Sequence, residues 1–119
     1  MNLEKIKSTK VEDMNSLLIL LEENGFKIYS STPYVPTQIE GWLPTGEPFY
    51  YRARGTCATL RVWSKEEKPF DNNFPNEKYF NPLFYGIKEE WEWPEAGCLE
   101  IEETKNLLIE FIEEFKEKK

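Results

Sequence analysis

The sequence predicts an α+β domain: an antiparallel sheet of four to five strands with an N-terminal and a C-terminal helix packed on one face. Three observations predict it. Apolar residues repeat at helical spacing near both ends of the chain, at Val11, Met14, Leu17, Leu18 and Leu21 and again at Ile101, Thr104, Leu108, Phe111, Ile112 and Phe115. Between them, short segments alternate apolar and polar residues and are separated by Gly and Pro. The 119 residues are enough for one domain, with no composition shift that marks a boundary, so residues 1–119 read as a single unit.

Each element has its own signal. Thr9 and Glu12 fit a capping box for the first helix, and Asn24-Gly25 supplies a left-handed stop. Phe26 to Thr32 alternates as a first strand, closed by Pro33 and Pro36, and Gln38 to Leu43 forms a second. Leu43-Pro44-Thr45-Gly46 has Pro and Gly where a β-turn wants them. Glu47 to Arg54 and Thr56 to Trp63 make a hairpin closed at Gly55. Residues 64–82 read as a long irregular connection, of the kind that is functional or mobile. Leu83 to Trp93 reads as a last strand bent at Gly86. Glu102 to about Glu117 is the final helix, with Glu102 and Glu103 at its start and Lys116, Lys118 and Lys119 at its end, as the helix dipole prefers.

Composition narrows the function. Twenty-two acids against fifteen bases leave a net charge of −7, which repels nucleic-acid polymers. The chain has no His, so the usual general base and the commonest metal ligand are missing. Cys57 and Cys98 form no CxxC and read as reduced, mostly buried thiols of a cytoplasmic protein. No apolar run is long enough to span a bilayer. Walker, GxSxG, HExxH and GxGxxG motifs are lacking. The expectation is a protein without enzymatic activity, cofactor or metal.

The three arginines of the chain, Arg52, Arg54 and Arg61, all fall in the hairpin. Strand alternation puts Phe49, Tyr51 and Ala53 on one face with Ala58, Leu60 and Val62. The opposite face then carries Tyr50, Arg52, Arg54, Thr59, Arg61 and Trp63, which are the candidate ligand-binding residues. Guanidinium forks grip phosphate oxygens, and Tyr and Trp rings stack on bases. The competing structural reading is a set of arginines paired with acids on neighbouring strands. An aromatic and Asn-rich segment, with Phe70, Phe74, Tyr79, Phe80, Phe84 and Tyr85, reads either as a lid or as a loop pinned by its rings. Trp91 and Trp93 alternate onto one face, as core or as an oligomer contact, and Trp42 is a further candidate for that contact.

The run Pro48-Phe49-Tyr50-Tyr51-Arg52-Ala53-Arg54-Gly55, with Trp93-Pro94-Glu95-Ala96-Gly97 ahead of the last helix, resembles small phage-encoded anti-CBASS sponge proteins. The likeness covers the second half of the chain through short motifs. It implies sequestration of a cyclic-dinucleotide signal without cleavage, assembly as a homo-oligomer and a place in the host cell cytoplasm, with Tyr50, Arg52 and Arg54 at the ligand. The other reading is an acidic protein inhibitor, an immunity protein or anti-CRISPR. It would engage a basic protein partner through Glu89 to Glu95 and the last helix.

Overall fold

A computed structural model describes residues 2–33, 36–70, 82–92, 96 and 99–118. The elements run α1 (Leu3–Ser8), α2 (Met14–Glu23), β1 (Lys27–Thr32), β2 (Thr37–Trp42), β3 (Pro48–Arg54), β4 (Cys57–Val62), β5 (Phe84–Lys88) and α3 (Ile101–Glu117). The strands form one antiparallel meander in the order β1-β2-β3-β4-β5. The expected α+β architecture holds, with five strands.

Alternation along the strands builds the core. Ile39, Phe49, Tyr51, Ala53, Ala58, Leu60, Val62 and Phe84 face the helices, which contribute Leu3, Ile6, Leu17, Leu20, Leu21, Leu108, Phe111, Ile112 and Phe115. The stripe predicted on α3 is buried along its whole length. One core pair is polar. Tyr51 Oη and Thr104 Oγ1 are both buried without a well-formed hydrogen bond. Burial pushes the Tyr51 phenol well up, with the nearby Thr104 hydroxyl acting the other way.

The start of the chain departs from expectation. Thr9 and Glu12 do not cap the first long helix. Residues 3–8 form a separate short helix, and Thr9 closes it, its N–H donating to the Ile6 carbonyl at 3.3 Å. The α2 cap lies four residues later. Asp13 accepts from the Ser16 N–H at 2.7 Å, and the Ser16 hydroxyl accepts from the Asp13 N–H at 3.2 Å. A serine at the third helical position does here what the Glu of the usual pattern does.

The last strand is also shorter than predicted. It ends at Lys88, and Trp91 packs partly buried against the core. Trp93 and Cys98, and the aromatics and asparagines of 71–81, lie outside the described residues. Among the described residues no helix is long and apolar enough to cross a membrane.

Candidate functional site

The hairpin of β3 and β4 turns through two residues, Gly55 and Thr56, between the paired Arg54 and Cys57. Gly55 has φ 66°, a left-handed value that glycine adopts at no steric cost. The Ala96 N–H donates to the Gly55 carbonyl at 3.0 Å, tying the hairpin tip to the segment leading into α3.

From that turn the register is regular. Tyr50 pairs with Arg61, and Arg52 with Thr59. On the far side of β4, Arg61 pairs with Tyr85 and Thr59 with Ile87 of β5. Directly opposed residues share a face of the sheet, so Arg52, Thr59, Arg61 and Tyr85 stand together on the face turned away from the helices. They surround a depression of about 360 Å³ completed by Arg54, Cys57 and the Gly55-Thr56 turn. All three arginines of the chain line this one hollow, and among the described residues none of its lining is acidic.

Each guanidinium has a distinct setting. Arg61 lies over the Tyr85 ring, 4.7 Å from its centroid, which steers the fork by cation–π attraction. Arg52 is half-buried, with its Nε shielded from solvent and lacking an acceptor. Arg54 is exposed at the rim. Neither Arg52 nor Arg54 has an ion-pair partner among the described residues. Thr59 is buried at the floor, its hydroxyl 3.4 Å from the Arg52 carbonyl. Cys57 is half-exposed in the wall and carries a free thiol.

Four of the six residues singled out in the sequence thus meet in one hollow: Arg52, Arg54, Thr59 and Arg61. Tyr50 and Trp63 share their face but not the hollow. Tyr50 is fully buried and accepts a hydrogen bond from Gln38 Nε2 at 3.1 Å. Trp63 is 1% exposed, with its ring 6.5 Å from that of Phe70. The physical reason is the segment after β4. It crosses back over this face and lays Phe70 against Tyr29 and Trp42 on β1 and β2.

Tyr85 takes the position of an aromatic wall that Tyr50 and Trp63 were expected to provide. Its alternation with Leu83 and Ile87 was visible, and all three are exposed. Its place beside Arg61 depends on the β4–β5 register, which the long connection between those strands hides from sequence reasoning.

The hollow is therefore a positively charged, partly desolvated concavity on an otherwise acidic domain. Its volume falls within the range of small-molecule sites, about 300–1,000 Å³. Chemically, the arrangement can hold an anion by charge-assisted hydrogen bonds and place one flat ring against Tyr85. Comparison with protein-family models, with curated proteins and with solved structures returns no match.

Proposed function

We propose that the protein is a non-enzymatic binder of a small phosphorylated ligand, a nucleotide second messenger of the cyclic-dinucleotide type, whose sequestration blocks antiphage immune signalling. The observation that carries this reading is the gathering of all three arginines around one hollow, with no acidic residue among the described residues of its wall. Arginines that only stabilise a sheet would sit opposite carboxylates, and Arg52 and Arg54 do not. Phosphate oxygens complement the guanidinium forks, and Tyr85 offers a ring face to a base. The hollow is sized for one phosphate and part of one nucleoside. A ligand with two of each calls for a second copy of the chain, so the reading includes a symmetric homo-oligomer.

Isothermal titration with a panel of cyclic dinucleotides, linear dinucleotides and pyrophosphate tests this. Binding should be confined to phosphorylated ligands and should weaken as salt rises. Arg52→Ala or Arg54→Ala should weaken it about tenfold or more, the cost of one lost charge-assisted contact. The ligand should be recovered unaltered from the denatured complex. Recovery of a linearised product would make the protein an enzyme. No binding to any of the panel, with a basic protein co-purifying instead, would replace this reading by that of an acidic inhibitor.

A further inference from the structure

A second hollow lies on the same sheet face, over β1 and β2. It is larger, about 430 Å³, and of different chemistry. Tyr29, Trp42 and Phe70 form its aromatic wall, and Lys65, Glu67 and Lys68 its rim. We propose that it is a second ligand site, which takes a small planar aromatic acid, with the ring against the aromatic wall and the anionic group between Lys65 and Lys68.

The wall is built in advance. Tyr29 and Phe70 stack in parallel, with ring centroids 5.1 Å apart and planes 8° from one another. Trp42 stands edge-on to both, at 6.1 Å from Tyr29 and 5.4 Å from Phe70. Rings that fix one another lose little freedom when a ligand arrives. Behind them the buried Trp63 packs edge-on to Phe70.

A cluster that only pinned the 64–70 segment to the sheet would cover its rings. This one leaves Tyr29 48% exposed and Trp42 and Phe70 partly so. Tyr29 reaches the hollow because it is the extra residue of a β-bulge. The register steps from Ile28↔Gly41 to Ser30↔Glu40 and leaves Tyr29 unpaired. Bulges of this kind re-aim a side chain, often beside a site.

The rim supplies the charge selectivity. Neither Lys65 nor Lys68 has an ion-pair partner among the described residues, and among those residues the rim sets two ammoniums against one carboxylate, that of Glu67. The stem of Lys65 runs beside Gly46. A β-carbon at Gly46 would lie 3.5 Å from Lys65 Cδ. The turn that carries Gly46 at φ 103° thus lies beside the Lys65 stem, on the rim of the aromatic hollow.

Proton–nitrogen correlation spectra of the intact protein, titrated with indoleacetate, test the proposal. Indoleacetamide (the same ring without charge) and acetate (the charge without the ring) serve as comparisons. Indoleacetate should give saturable shifts at the Trp42 indole N–H and at the amides of residues 65–68 and Phe70. Indoleacetamide should bind about two- to fivefold more weakly, as the loss of an exposed ionic contact predicts. Acetate should leave these signals unmoved. A Lys65→Ala/Lys68→Ala double variant, which leaves the rings in place, should bind the acid no better than the amide. Arg52→Ala should bind indoleacetate as the parent protein does, so the outcome is separable from the fate of the arginine hollow. The proposal is overturned if no signal saturates, if acid and amide bind alike, or if the shifts fall on Arg52, Arg61 and Tyr85 instead.

Discussion

The ammonium of Lys105, fully buried beneath α1, lies 3.0 Å from the Glu102 carboxylate one turn earlier on α3. Its two other contacts are the carbonyls of Lys7, at 3.0 Å, and Thr9, at 2.7 Å, where α1 ends. The other Glu102 oxygen accepts the Val11 N–H at 3.0 Å. A buried lysine is rare unless paired, and this one satisfies the open carbonyls of a six-residue helix that would be marginal alone. Lys105→Ala leaves those carbonyls and one Glu102 oxygen without their donor. It should cost about 3 kcal/mol in denaturant unfolding. Amide exchange should show residues 3–12 opening first. Loss of less than about 0.5 kcal/mol, the scale of an ordinary surface change, would refute the capping role.

The same junction sets an acid limit on stability. Burial works to raise the Glu102 carboxyl, but the Val11 N–H and the Lys105 ammonium outweigh it and hold the group below its ordinary value of 4.5. Asp13 is likewise held down, first by the Ser16 N–H and then by the Ser16 hydroxyl. A carboxyl lowered in the folded state binds fewer protons there than in the unfolded chain. Its stabilisation is complete above the unfolded value and is lost as pH falls through the folded one. Thermal unfolding followed from neutral pH downward should show stability falling below the ordinary carboxyl range. Glu102→Gln should make that fall shallower, and an unchanged acid slope in this variant would contradict the assignment.

Much of this molecule was legible in the sequence because its parts follow simple periods. The α3 stripe and the β3–β4 alternation need only local geometry, and both faces of the hairpin were assigned correctly. What escaped depends on contacts between distant segments. Thr9 looks like a cap because it precedes an apolar run, yet the preceding Leu3 and Ile6 find the core and make Thr9 the end of another helix. Tyr50 and Trp63 have the right parity for a ligand wall, but parity does not say what crosses above them. Tyr85 needed a register across a connection that carries no pairing signal.

Tyr85 accordingly carries its own prediction. Its ring steers Arg61 from the neighbouring strand while remaining 46% exposed. Tyr85→Ala should leave stability within about 0.5 kcal/mol. It should weaken pyrophosphate or cyclic-dinucleotide binding about two- to fivefold, the worth of an exposed cation–π contact. Tyr85→Phe keeps the ring face and should bind as the parent does. A Phe variant as weak as the Ala variant would mean that the hydroxyl, and not the ring, does the holding.

A close backbone approach at Gly41 separates the two hollows experimentally. A β-carbon at Gly41 would lie 2.1 Å from the Lys27 carbonyl oxygen and 3.0 Å from Ile28 Cα, both of them backbone of the adjacent strand. At Gly86 the nearest atom is Phe111 Cδ1, 2.6 Å away on a side chain of α3. A ring can turn or shift with its helix, whereas β1 can yield only by leaving the sheet. Gly41→Ala should therefore cost more than Gly86→Ala, about 3 kcal/mol or more at the upper end of overpacking effects, measured by denaturant midpoints. The damage should be local as well. Moving β1 displaces the bulge that carries Tyr29, so Gly41→Ala should weaken indoleacetate binding at the aromatic hollow. The arginine hollow is built on β3, β4 and β5, and its affinity for pyrophosphate should stay within about twofold. Equal loss at both hollows would show that the sheet responds as one body, and that the two sites are coupled through β2.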